Sequence, residues 1–314
     1  MKMSKEKNFV SAVVYVRNAQ DRVEEFLQLL IRTMENNFEH SEIICVDDHS
    51  NDCSVETIKS LSKMAKSTSI TVIHMSYFHG IELSMNAGTD LAIGDFVLEF
   101  DNTVLDYTEE TIMAIYDKAL EGYDIVSASA DRKQRFSSNL FYKVFNHFAD
   151  TDNKMCTESF RILSRRVMNR VSSMNQSVPY RKAVYANCGL KTFNMKYKPT
   201  SIKSYKEQDK MEKKYRNMLA ADTLILFTQV GYRFSLMMTL LMMAVAVFVA
   251  IYAVIVYLTA IPVAGWTTTI FFMAFAFFGL FGILTIIIKY LQILVDLVFK
   301  RKKYSFESIE KLTK

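Results

Sequence analysis

Between Arg233 and Lys289 the chain carries no Asp, Glu, Lys or Arg, although charged residues make up 23% of the whole sequence. That gap limits what the chain can fold into. About 20 helical residues cross the ~30 Å hydrocarbon core of a bilayer, so residues 236–258 and 267–290 are each long enough to span one. Pro262 and Gly265 read as the turn between them, and Trp266 as an interfacial anchor. A soluble helical hairpin is the alternative, and two adjacent runs of this length weigh against it. Lys203, Lys206, Lys210, Lys213, Lys214 and Arg216 precede the first run, and Lys300, Arg301, Lys302 and Lys303 follow the second. Basic flanks on both sides place both chain ends in the cytoplasm and the hairpin in the cell membrane. The net charge of +5 invites anionic partners. Its position beside apolar runs points to lipid headgroups rather than nucleic acid.

The first half of the chain alternates strand-like and helix-like segments. Strands are expected over 9–16, 42–46, 70–75, 96–100 and 125–130. The residues Val23, Phe26, Leu27, Leu30, Ile31 and Met34 have helical spacing, behind a cap at Asn18 or Asp21. Helices are also expected around Ile58, over 81–93, around Ile115, and over 138–149, the last rich in aromatics. Such alternation predicts a largely parallel sheet covered by helices, with ligands at the carboxyl ends of the strands. Beyond Tyr180 the pattern weakens, and 199–216 reads as a polar, basic linker or surface helix. The four cysteines lack C-x-x-C spacing and the histidines lack ligand spacing, so neither zinc nor disulfides are expected. The N-terminal apolar stretch is too short for a signal-peptide core.

Chemistry concentrates at two predicted strand ends. Val46-Asp47-Asp48-His49-Ser50 closes the second strand, where two carboxylates can accept hydrogen bonds from a base and ribose hydroxyls; a helix cap with surface acids is the plainer reading. Glu99-Phe100-Asp101-Asn102-Thr103 closes the fourth strand, with Asp106 just beyond. Further on stand Asn86-Ala87-Gly88 through Gly94-Asp95, then Arg132 and Arg135, Phe141-Tyr142, and Phe160-Arg161-Ile162-Leu163-Ser164-Arg165.

In that order these segments resemble the inverting family 2 glycosyltransferases of GT-A fold, and among them the polyisoprenyl-phosphate glycosyltransferases related to dolichol-phosphate mannose synthase. The resemblance covers nearly the whole chain. It implies an α/β, Rossmann-like GT-A domain, and a hexosyl transfer from a nucleotide-diphosphate sugar to polyprenyl phosphate that supplies lipid-linked sugar for cell-surface polymers. It assigns Asn18, Asp47, Asp48 and Asp101 to the nucleotide sugar. Asp101 also holds Mg²⁺ or Mn²⁺, with Asp106 or Glu99 as helper. Arg161 serves the departing diphosphate, and Arg132, Arg135 and Arg165 the acceptor phosphate. Arg181 and Lys182 belong to a closing loop.

Two positions depart from the family pattern. The second acid of its D-x-D is Thr103, and the acid before F-R, which serves as general base, is Ser159, with Glu158 beside it. Mg²⁺ takes only one or two carboxylates beside waters and phosphates, so one aspartate suffices, more weakly. A phosphate monoester, with a second pKa of about 6, needs no strong base, whereas a sugar hydroxyl does. The expected organisation is a catalytic domain over 1–215, an interfacial segment over 216–235, spans over 236–258 and 267–290 joined by an extracytoplasmic turn at 259–266, and a basic cytoplasmic tail over 291–314. Two rivals stand beside it: a catalytically degenerate nucleotide-binding scaffold, and a transferase acting on a glycolipid hydroxyl. Self-association is left open.

Overall fold

The computed structural model describes residues 5–132, 136–148, 154–173, 180–200, 210–227, scattered positions between 231 and 248, 265–299 and 304–313. Two compact units emerge: one comprises residues 1–146, 151–220 and 301–314, the other 147–150 and 221–300.

The first unit is built on an eight-stranded sheet in the order β7-β5-β6-β4-β1-β2-β3-β8. Its centre is β1 (Val10–Val16), β2 (Ser41–Asp47), β3 (Ser69–Met75) and β4 (Phe96–Phe100). These strands pair in parallel, and every residue of β1 is buried. A strand buried on both faces needs a continuous apolar run, and VSAVVYV supplies one. Helix α1 (Gln20–Asn37) packs Val23, Phe26, Leu27, Leu30, Ile31 and Met34 into the core, the stripe its spacing predicts. Helices α2 (Ser54–Ser62), α3 (Ile81–Leu91) and α4 (Glu109–Leu120) complete the crossovers. Gly88 of α3 lies against Val13 and Val46, where a Cβ would have no room. The Gly of the N-A-G segment therefore serves close helix–sheet packing.

Beyond β5 (Ile125–Ala130) and α5 (Phe136–Phe148) the sheet stops being parallel. Strand β6 (Phe160–Ser164) runs antiparallel to both β4 and β5 and sits between them. Helices α6 (Arg165–Ser173) and α7 (Arg181–Asn187) follow, and β7 (Thr192–Tyr197) closes that edge parallel to β5. Helix α8 (Lys210–Phe227) begins within the expected linker. Its Tyr215 packs on Phe78 and on Gly80, whose φ of +83° suits glycine.

The expected tail is only partly a tail. Residues 306–311 form β8 (Phe306–Lys311), antiparallel to β3 at the opposite edge. Tyr304 donates to Asp90 Oδ2 (2.9 Å), and Lys59 pairs with Glu310 (2.7 Å). The chain thus leaves the sheet after β7 and returns to it after the apolar region.

In the second unit, α9 (Gly265–Phe299) is one 35-residue helix that contains the second expected span. Lys289 Nζ pairs with Asp222 Oδ1 at 3.0 Å. Among the described residues no helix is long and apolar enough to cross a membrane. The first expected span and the turn lie largely or wholly outside those residues.

Candidate active site

Three parallel strands, β1, β2 and β4, end along one rim of the sheet, with the strand order reversing between β1 and β4. At the β2 end the two aspartates differ. Asp48 is fully buried and accepts from Tyr15 Oη (2.9 Å), His79 N (2.8 Å) and Gly80 N (2.9 Å). It fastens the segment after β3 to β2, a structural task for an acid expected at a nucleotide. Asp47 is less engaged: Ser50 N donates to its Oδ1 at 3.1 Å, and His74 Nδ1 lies 3.7 Å from Oδ2. Asn18 adopts φ +42° and accepts from Asn51 N at 2.9 Å, which ties the β1 loop to the β2 loop. Arg17 donates to the carbonyls of Asp48 (2.5 Å) and His49 (3.0 Å) and covers the ring of Phe78 at 4.3 Å. Asn18, Asp47 and Asp48 are thus gathered in one loop pair.

At the β4 end lies a buried ionic cluster. Strand alternation sends Phe100 into the core and turns Glu99 and Asp101 to the other face. On the antiparallel partner, Arg161 stands opposite Glu99. Its guanidinium bonds Glu99 Oε2 (2.7 Å), Asp101 Oδ2 (2.6 Å) and Glu158 Oε2 (2.9 Å). Arg181, at the start of α7, reaches Glu82 Oε2 (3.0 Å), Glu99 Oε1 (2.8 Å) and Asp101 Oδ1 (2.7 Å). Tyr185 donates to Glu99 Oε1 at 2.9 Å, and Lys182 Nζ stands 3.9 Å from Asp101 Oδ2. Burial alone would raise the Asp101 pKa. Arg161, Arg181 and Lys182 outweigh it and hold the carboxyl well below the usual carboxylate range.

This donor set does not fit the implied metal. Each Asp101 oxygen already accepts from a guanidinium, Glu99 has no exposed surface, and Thr103 is a buried hydroxyl rather than a second acid. Asp106 is engaged at one oxygen: Tyr197 donates to its Oδ1 at 2.6 Å, while Oδ2 has only the Arg132 guanidinium nearby, Nη1 at 3.3 Å. Among the described residues no group of three His, Cys, Asp or Glu is arranged to hold an ion.

The remaining expected residues divide. Ser159 lies just before β6, at the same rim as Asp101, with its hydroxyl 2.6 Å from Tyr197 Oη. Glu158 turns instead to Arg161. Arg132 is more than half exposed beside Asp106. Arg165 is not brought here. Ser164 pairs with Phe96, so Arg165 lies at the amino end of β4, where it donates to the carbonyls of Ala92 (3.0 Å) and Gly94 (2.9 Å from Nε). A guanidinium spent on backbone at the far end of the strand does not meet an acceptor at the rim. Arg135 lies outside the described residues.

Sequence reasoning missed Glu82, Tyr185 and Tyr197, and gave Arg181 to a loop rather than to Asp101. The only sequence signal was indirect: three acids clustered at 99–106 demand cations, and the Arg181-Lys182 pair was available.

Comparison with known proteins gives this geometry a family. The profile described as glycosyl transferase family 2 matches residues 11–174. An uncharacterized glycosyltransferase of Synechocystis sp. is 30% identical over 187 residues, 57% of this chain and 58% of that one. A prophage bactoprenol glucosyl transferase homolog of Escherichia coli K12 is 26% identical, over 60% of this chain and 62% of its own. The undecaprenyl-phosphate 4-deoxy-4-formamido-L-arabinose transferase of Edwardsiella ictaluri is 30% identical over 40% of this chain and 38% of its own. The chain thus spans about three fifths or less of these relatives' lengths. Among solved structures, the glucosyl-3-phosphoglycerate synthase of Mycobacterium tuberculosis, in complex with Mn²⁺, UDP-glucose and phosphoglyceric acid, superposes with a TM-score of 0.50 at 9% identity. That match covers 69% of this chain and 78% of the other, and it is a likeness of fold. With the profile covering just over half of its residues, the chain belongs to glycosyl transferase family 2.

Proposed function

We propose that this protein transfers a sugar from a nucleotide-diphosphate donor to polyprenyl phosphate at the cytoplasmic face of a cell membrane. The observation that carries the reading is the rim itself: one edge of a family 2 sheet brings Asn18, Asp47, Asp101, Arg161 and Ser159 together. The acceptor class is supported by relatives whose names specify undecaprenyl phosphate or bactoprenol.

In this reading Asn18 and Asp47 face the base and ribose of the donor. The acceptor oxygen attacks the anomeric carbon with inversion while the bond to the nucleoside diphosphate breaks. Lys182, the least buried cation of the cluster, is placed to meet the developing diphosphate charge. Arg161 and Arg181 keep Asp101 ionised and fixed from behind.

Membrane attachment is supported by the sequence alone, which carries no Asp, Glu, Lys or Arg from residue 234 to residue 288. The return of β8 to the sheet adds a topological constraint. Both flanks of the apolar region belong to one folded unit, so any crossings between them must be even in number.

The test is to incubate the full chain in lipid nanodiscs with a panel of nucleotide sugars and undecaprenyl phosphate. Sugar-linked lipid with one donor is the expected result. Nucleotide binding without transfer from any donor would favour the scaffold.

A further inference from the structure

The family's general-base position is a serine here, yet that serine does not stand alone. Ser159 Oγ lies 2.6 Å from Tyr197 Oη, and Tyr197 Oη lies 2.6 Å from Asp106 Oδ1. The three come from separate parts of the chain: the entry to β6, the end of β7, and the segment after β4. Asp106 is 3% exposed, and among the described residues its Oδ2 has no hydrogen-bond partner.

Tyr197 has a single proton for two neighbours, and in the direction that suits a base it donates that proton to Asp106. Tyr197 can then only accept from Ser159, whose own proton points toward the tyrosine. The lone pairs of Ser159 Oγ are left over at the less buried end of the chain. We infer that Ser159, Tyr197 and Asp106 form a proton relay that replaces the missing general base, with Ser159 meeting the acceptor and Asp106 as the final proton store. This inference rests on the transferase reading above.

The step balances. The acceptor oxygen forms its bond to the anomeric carbon as the carbon–diphosphate bond breaks, and that electron pair leaves with the nucleoside diphosphate. The acceptor's proton passes to Ser159 Oγ, the serine proton to Tyr197 Oη, and the tyrosine proton to Asp106 Oδ1. After the product departs, the proton returns to water by the same route. Among the described residues the charged and titratable groups around the relay are few. Arg132 lies beside Asp106 at 3.3 Å, Tyr107 is the next residue and packs on Tyr197, and Cys156 and Glu158 lie on the segment entering β6. Glu158 is committed to Arg161.

A relay matters for a phosphate acceptor only while that phosphate still holds a proton. Its second pKa is about 6. With a relay the monoanion also reacts, and the rate falls less from pH 7 to pH 5 than the dianion fraction does. Without one the rate follows the dianion, whose share at pH 5 is about tenfold below that at pH 7.

The experiment measures turnover from pH 5 to 8 with undecaprenyl phosphate for the parent, Tyr197→Phe and Asp106→Asn, using the nucleotide sugar that the parent accepts. Tyr197→Phe keeps the ring that packs near Tyr107 and Phe160 (centroids 6.0 and 6.3 Å away), so its fold should hold, and a melting curve checks this. A parent profile shallower than that of variants following the dianion supports the relay. Parallel profiles in parent and variants overturn it and leave Tyr197 a purely structural role, while the transferase reading stands. Transfer to a hydroxyl acceptor, lost in Tyr197→Phe, keeps the relay and replaces the acceptor class. A parent that transfers nothing to either acceptor overturns the reading and the relay together.

Discussion

Asp101 shows how one residue can match a family motif and still sit in an unexpected environment. Its carboxylate is shared between two arginines that have almost no exposed surface. Removing one partner from such a cluster leaves uncompensated buried charge, which typically costs 3–5 kcal/mol. Asp101→Ala should therefore destabilise the catalytic unit by roughly that much, measured as a shift in urea unfolding of the detergent-solubilised chain. The sign of its pH dependence follows from the lowered pKa. The unfolded group titrates near pH 4 and the folded one lower. Its contribution is complete above about pH 4 and fades as pH falls toward the folded value. Below pH 4 the parent should lose stability more steeply than Asp101→Ala; equal slopes would mean that the arginines do not hold this carboxylate. Asp48 makes the complementary point. The sequence assigns it to the nucleotide sugar, but three donors converge on it in the core.

At the scale of elements, β8 is the strand no pattern announced. FESIEK alternates weakly, five of its six residues are exposed, and it lies over 200 residues from its partner β3. What stabilises it is position: it covers an edge whose N–H and C=O groups would otherwise be open to another chain. Truncation after residue 303 should lower the melting temperature of the catalytic unit and promote aggregation, read by light scattering on heating. Unchanged melting and scattering would mean that β8 contributes no edge protection. Strand β7 escaped notice for a related reason. TFNMKY lies at the other edge with only Tyr197 buried, so it lacks the apolar run that marked β1 to β4. By contrast, those four central strands and α1 were legible almost to the residue, because burial on both faces, or along one helical stripe, leaves a strict pattern.

At the scale of the whole molecule, the basic flanks and the return of β8 make a joint prediction about topology. A reporter fused after Lys314 should remain cytoplasmic, and a cysteine at Ala264→Cys should be labelled by an impermeant reagent from outside intact cells. Labelling only after lysis would remove the two-span arrangement while leaving the catalytic unit as described.

The sequence alone determined the family, the alternating core and the apolar region, because each is written in local composition or in short motifs at fixed order. It also marked the two departures, Thr103 and Ser159, as places where the chemistry must differ. It did not determine what replaces them. Arg181 lies 80 residues from Asp101, and Tyr197 lies 38 residues from Ser159 and 91 from Asp106. Only the antiparallel insertion of β6 between β4 and β5, with β7 beside them, brings those side chains to one rim. Such partnerships rest on strand order rather than on local pattern. Hydrogen bonds and ion pairs between distant segments leave no period in the sequence, and so the tertiary structure decided them.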